Sequence, residues 1–338
     1  MIIKIKQTIL TYLRLTRLQT AAVTAVTPFI GSLVMGQRDI LSLSLLFLIG
    51  FFYHIYGFVL NEYIDVEVDR QSADLQTKPL VSKMIPQRSA LFLTFVAAVC
   101  CCLLTVYFFP TVLPIILLLL ALLFGGVYNV YGKRIPGSDF ILGLSFFFIC
   151  LMGASTVSAQ FTTVTYLVCC LYFIHIVFNN AVEGGLKDID HDTVAGAKTL
   201  ASRLGVHIQN QKLLITPSFA VFSVIIKGIF FGLIIFLWVQ PETQLSYSVE
   251  NTVQILLIVL FVSAVILTMY RFLSSMIFER PRLRRLFSVH EISSYFLLVL
   301  SLFPLIGLHL TLFLLLSPFL WFLIFNVVLY GKLLQPQV

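Results

Sequence analysis

Apolar runs of about 20 residues, the length that carries an α-helix through a bilayer, recur near positions 18–36, 41–60, 89–109, 111–130, 139–158, 161–181, 214–238, 251–270, 292–310 and 312–331. The pattern predicts ten membrane helices, or nine if the last two runs form one broken hairpin, since only a residue or two near His309 and Leu310 separates them. Polar residues collect in the intervening segments, and they are divided very unevenly.

The cations define two sides. Lys4, Lys6, Arg14 and Arg17 precede the first run, and Arg70, Lys78, Lys83 and Arg88 follow the second. Lys133 and Arg134 follow the fourth; Lys187, Lys198, Arg203 and Lys212 follow the sixth; Arg271, Arg280, Arg282, Arg284 and Arg285 follow the eighth. The alternate loops hold only Arg38. Short cytoplasmic loops are the ones enriched in Lys and Arg, so the N-terminus and these basic loops are expected on the cytoplasmic side of the cell membrane. Lys227 alone falls inside an apolar run, where a charge is costly, and it is expected to face a cavity, pair, or bend its stem toward an interface.

Composition excludes a water-soluble globule. Of 338 residues, 59% are hydrophobic and 11% charged, with a mean hydropathy of +1.00, against about 25% charged in a soluble domain. The net charge of +7 then reports topology and contact with anionic lipid rather than nucleic acid. The run ERPRLRRLF is read as such a lipid-facing stripe. All six cysteines lie in apolar runs without metal-ligand spacing and read as small buried hydrophobes.

The acids carry the chemistry. Nine of the fifteen sit in two segments of the cytoplasmic side, NEYIDVEVDRQSAD after the second run and EGGLKDIDHD after the sixth. Asn61, Asp65 and Asp69 recur every four residues at the end of a helical run, so they share one face with a drift of about 40° per step. Asp188 and Asp192 repeat the spacing. Like charges stacked this way repel unless a cation lies between them. A donor set of oxygens alone favours Mg²⁺, which binds through one or two carboxylates plus substrate phosphates. Lys78, Lys133, Lys187, Lys198 and Arg70 stand in the same loops to take further phosphate charge.

At these residues the chain resembles the UbiA superfamily of intramembrane prenyltransferases. The family's NxxxDxxxD motif matches Asn61–Asp69, and its following basic-Pro-Leu element matches Lys78, Pro79 and Leu80. Its second motif matches KDIDHD with the following AGAKTLASRLG. The resemblance runs from about Tyr12 to Gly205 and fades in the last third. His191 stands where a small residue is common, and Gly184 where some members carry another acid. Arg17 resembles an arginine that faces the diphosphate, although a positive-inside anchor reads equally well. YNVYGKR resembles a tyrosine-lysine loop, making Tyr128 and Lys133 candidate phosphate contacts. Lys198 could reach the same anion, with a solvated lysine as the plainer reading.

The resemblance implies an all-α polytopic membrane helix bundle of nine or ten transmembrane helices around a central cavity. It would form one domain over residues 1–338, with a motif-bearing part at about 12–205 and C-terminal helices at 214–331. It implies Mg²⁺ held by Asp65, Asp69, Asp188 and Asp192 with Asn61, and a diphosphate met by Arg17, Lys78, Tyr128, Lys133, Lys187 and Lys198. The activity implied is prenyl transfer from a polyprenyl diphosphate to a hydrophobic or aromatic acceptor, a quinone precursor first and a glycerol-phosphate ether lipid second. A related membrane cyclase or hydrolase would use the same acids. A transporter is the weakest alternative, because its acids would lie inside the spans. His54 and His175 are expected to serve packing.

Overall fold

The computed structural model describes residues 2–244 and 249–333; among the N-terminal cations, Lys4 lies outside the described side chains. A short helix α1 (Ile2–Leu15) leads into α2 (Ala21–Val34), α3 (Ile40–Asp69), α4 (Gln87–Phe108), α5 (Val112–Tyr131), α6 (Asp139–Ser155) and α7 (Thr163–Phe178). A π-helical turn (Asn179–Gly184) then joins α7 to the short helices α8 (Gly185–Lys187), α9 (Ile189–Val194) and α10 (Leu200–Arg203). A small antiparallel hairpin, β1 (His207–Gln209) and β2 (Lys212–Leu214), precedes α11 (Pro217–Trp238), α12 (Val249–Leu273), α13 (Arg280–Ser301) and α14 (Phe303–Tyr330). Among the described residues, seven helices are long and apolar enough to cross a bilayer, and α6 and the Leu18–Val34 segment are shorter apolar helices. The chain is a polytopic membrane helix bundle.

The apolar runs become helices because inside a bilayer every backbone N–H and C=O must be satisfied within its own segment. Their ends follow local signals: Asp39 accepts from Ser42 N (2.8 Å) to open α3, and Thr216 accepts from Phe219 N ahead of Pro217 to open α11. Helix α2 is almost wholly buried and packs on α3, α6, α7 and α14. It approaches α6 through glycine: a Cβ on Gly153 would stand 1.9 Å from the Pro28 carbonyl oxygen, and one on Gly31 2.0 Å from that of Cys150. The last helix returns to the first turn of the chain, where Trp321 Nε1 donates to Leu18 O (2.7 Å) and Arg14 Nη2 to Leu329 O (2.6 Å).

Two expectations shift in the last third. The break between the final helices falls at Leu302, with a further kink at Gly307 (φ 77°), not at His309–Leu310. Helix α13 starts well before its apolar run, at Arg280, because its first half is amphipathic: Leu283, Phe287 and His290 are packed inside while Arg282, Arg285 and Ser288 are exposed. Hydropathy alone cannot mark a helix whose first half is held by tertiary contacts. All six cysteines are free.

Candidate functional site

Helix α3 continues well beyond the end of its apolar run, so that Asn61, Asp65 and Asp69 ride on unbroken helix. Each motif carboxylate on it meets a lysine from another loop. Lys78 Nζ lies 2.7 Å from Asp69 Oδ2 and 3.2 Å from Glu62 Oε1, and Lys133 Nζ lies 3.2 Å from Asp65 Oδ2. Asp69 and Glu62 are buried, and a buried carboxylate persists as an ion only when it is paired.

The second motif is set by the π turn. Opening α7 to i→i+5 bonding inserts a residue and redirects the helix beyond it, a device common at functional sites. Asp188 then sits at the break between α8 and α9, its N–H donating to Gly184 O (2.9 Å), and Asp192 N–H donates to Asp188 O (2.8 Å). Both carboxylates thus stay one helical turn apart. Lys187 Nζ lies 3.3 Å from Asp188 Oδ2; among the described residues Asp192 has no ion-pair partner.

Lys133 couples the two motifs. Its side chain meets Asp65 while its carbonyl accepts from Lys198 N–H (2.9 Å), just past the second motif. Tyr128, one turn earlier, donates from its hydroxyl to Asn180 Oδ1 in the π turn (3.4 Å). The electrostatics agree. Burial pushes the Asp192 carboxyl up to about 7, aided by the negative charge of Asp188 and Asp65 and opposed by Lys133. Burial also presses on Asp188, but Lys187, with Arg280 and His191, holds its carboxyl below the usual range. Burial disfavours the Lys133 ammonium, and Asp65 and Asp69 outweigh it, raising the amine. Facing acids with one carboxyl pushed toward neutrality form a site short of positive charge. That deficit, on oxygen donors alone, fits a hard divalent cation. Among the described residues no three His, Cys, Asp or Glu side chains are gathered at metal-binding spacing; lysines stand against Asp65, Asp69 and Asp188 instead.

Several expected residues have partners that the pattern along the chain does not show. Arg17 adopts a left-handed backbone (φ 47°, ψ 45°), rare for a residue with a Cβ, and its Nη2 lies 2.5 Å from Glu62 Oε1 with the guanidinium over the Phe58 ring. It is paired at the first motif and is not a simple lipid anchor. The Lys198 side chain is exposed, and only its backbone joins the site. His54 bridges Thr16 O (2.9 Å) and Thr24 (3.1 Å), bracing the segment before Arg17. Lys227 is fully buried, donating to Ser294 Oγ (3.2 Å) with its ammonium 3.9 Å from the centre of the Phe178 ring.

Two residues at the site were not singled out from sequence. Glu62 holds Arg17 and Lys78 together; its position beside Asn61 was the available signal. Arg280, assigned to a lipid-facing stripe, instead donates from Nη1 to Asp74 Oδ2 (2.6 Å), from Nη2 to Asp190, and from Nε to Lys187 O (3.2 Å). No local pattern marks it, because its partners lie about 90 and 206 residues away.

A family model described as the UbiA prenyltransferase family matches residues 25–241. Solved structures share the fold over most of their length. One described as a digeranylgeranylglyceryl phosphate synthase is 18% identical, with a TM-score of 0.63, covering 89% of this chain and 100% of its own. A UbiA homologue from Archaeoglobus fulgidus bound to DMAPP and Mg²⁺ is also 18% identical, with a TM-score of 0.63 over 88% of this chain and 99% of its own. An apo UbiA homologue from Aeropyrum pernix K1 is 17% identical, with a TM-score of 0.64 over 84% and 97%. No curated protein matches the sequence.

Proposed function

This chain belongs to the UbiA prenyltransferase family, and on that premise we propose that it transfers a polyprenyl group from an allylic diphosphate to an aromatic quinone precursor. The observation that carries the reading is the approach of two aspartate pairs, Asp65/Asp69 and Asp188/Asp192, joined through Lys133. The Archaeoglobus homologue that holds DMAPP and Mg²⁺ supports the same ligands here.

Asp65, Asp69, Asp188 and Asp192, with Asn61, would hold Mg²⁺, which when bound neutralises diphosphate charge. The chain's own cations do the rest. Lys78, Lys133 and Lys187 now stand against carboxylates at 2.7–3.3 Å; their amines turn to the diphosphate oxygens once those carboxylates are otherwise neutralised. As the allylic C–O bond breaks, its electron pair leaves with the diphosphate, and preplaced ammonium groups stabilise the charge that develops there. Arg17, fixed by Glu62, contributes positive potential from the first turn of the chain. Capture of the allyl cation by the acceptor forms the new bond and releases the acceptor's proton. The Lys- and Arg-rich loops support an orientation with the N-terminus and both motifs on the cytoplasmic side.

The test exposes membranes containing the protein to labelled geranylgeranyl diphosphate and Mg²⁺, with aromatic acids or glycerol-phosphate ether lipids as acceptor. Diphosphate release should require metal, acceptor and both motifs, with Asp65→Ala and Asp188→Ala each slower by a factor on the order of 10² or more. Release without acceptor would assign the protein to the cyclases or hydrolases. Product on the ether lipid alone would move the acceptor to the lipid class.

A further inference from the structure

The last third of the chain, where the resemblance fades, reaches back into the site. The segment between α12 and α13 lies against the small hairpin as an added strand: Leu213 N–H donates to Met276 O (3.1 Å), Phe278 N–H donates to Gln211 O (3.0 Å), and Lys212 bridges Ile277. This docking delivers Arg280, the first residue of α13, to a point between the two motif-bearing loops. There its three kinds of nitrogen all find acceptors: Nη1 on Asp74, Nη2 on Asp190 and Nε on the Lys187 carbonyl. Asp74 belongs to the loop after the first motif; Lys187 and Asp190 bracket Asp188 in the second. His191 closes the ring, with Nε2 3.0 Å from Asp74 Oδ1 and its imidazole against Arg280 Nη2.

We propose that Arg280 is a positioning residue that clamps the loop after Asp69 to the segment holding Asp188 and Asp192, with Asp74 and His191 as its partners, and so fixes the spacing of the two aspartate pairs. The planar fork of an arginine suits this task, because it donates in fixed directions to several acceptors at once. An ammonium would supply the charge without the geometry. His191 gains a role: its ring spans the distance from the second motif to Asp74. The Arg280 side chain is 15% exposed, against 49% for Asp74 and 35% for Asp190, so the arginine end of the clamp is the shielded one and the clamp rests on its geometry more than on its charge. The clamp acts through the aspartates and does not touch the reacting atoms. Its kinetic consequence rests on the transferase reading above; its structural consequence does not.

The experiment compares the full chain with Arg280→Gln, Arg280→Lys, Asp74→Asn and the Asp74→Asn/Arg280→Gln double variant. Amide hydrogen exchange over residues 70–78 and 188–196 reads the clamp directly, Mn²⁺ binding by electron paramagnetic resonance reads the aspartate spacing, and kinetics with the prenyl diphosphate separate KM from kcat. Arg280→Gln should speed exchange in both loops and not in α2–α7, and weaken Mn²⁺ about tenfold, the scale of losing a group that orients metal ligands. KM should rise while kcat at saturating metal and substrate recovers. Arg280→Lys should fall between, and the double variant should lose less than the sum of Arg280→Gln and Asp74→Asn, because both single changes remove the Arg280–Asp74 bond. Unchanged exchange and Mn²⁺ affinity overturn the proposal, as does loss of protection throughout the bundle, or additive losses in the double variant. If the unaltered protein transfers no prenyl group while Arg280→Gln still loosens both loops and Mn²⁺, the clamp stands and the transferase reading fails.

Discussion

Arg17 and Glu62, 45 residues apart, meet with Nη2 2.5 Å from Oε1, and the same carboxylate oxygen receives Lys78 at 3.2 Å. One buried acid thus collects two cations expected to serve a diphosphate and holds them beside Asp69. It fixes both where the first motif can use them.

Replacing Glu62 with glutamine keeps the shape and removes the charge. Arg17 and Lys78 then lose their common charge-assisted acceptor, at a cost of about 2 kcal/mol. The midpoint of unfolding in a sodium dodecyl sulfate titration should move to lower detergent. An unmoved midpoint would mean that other groups satisfy the two cations.

The Asp192 carboxyl, pushed up to about 7 by burial and then by Asp188, sets a pH dependence. Its unfolded value is the ordinary carboxylate one, so the folded protein binds the extra proton. Stability from this group is therefore present at low pH and lost as pH rises through about 7. Metal-free protein should unfold more readily at about pH 8 than at about pH 6, Mg²⁺ should oppose the loss, and Asp192→Asn should abolish it. The reverse slope would refute the assignment.

Lys227 tests the interior of the bundle. Its ammonium donates a hydrogen bond to Ser294 and rests on the faces of Phe178 and Phe230. Ser294→Ala should cost about 1.5–3 kcal/mol, the range for a hydrogen bond to a charged group. Adding Lys227→Met should lessen that loss, because an apolar chain of similar length has no charge to leave unpaired. Detergent unfolding of both variants decides it; a double variant worse than the single one would show that Lys227 stabilises through other groups.

Gly153 places α6 on α2. Even with relaxation, a methyl group 1.9 Å from the Pro28 carbonyl oxygen must push the helices apart, so Gly153→Ala should destabilise by about 1–3 kcal/mol or more. Gly57, whose Cβ would meet nothing within 4 Å, supplies the control. Equal stability of Gly153→Ala and Gly57→Ala would contradict the close helix approach.

The sequence by itself determined the bundle and its chemical end. Apolar length forces helices, since lipid offers the backbone no other partner, and the Asp65/Asp69 pair, spaced four apart, stays on one face of the helix that continues from the apolar run. Periodicity therefore made α3 and its Asn61–Asp65–Asp69 face readable before any packing was known. Tertiary structure decided which charge meets which. Glu62 was one acid among several until α1 ended in the left-handed turn at Arg17. Arg280 read as a lipid-facing cation until backbone bonds to the hairpin carried it between Asp74 and Asp190. Helix α13 starts ahead of its apolar run because the packing of one face, not a run of apolar residues, holds its first half. Local pattern records what a segment does with its own backbone and solvent; an ion pair across 45 or 206 residues depends on how separate segments pack, and no window along the chain contains both ends.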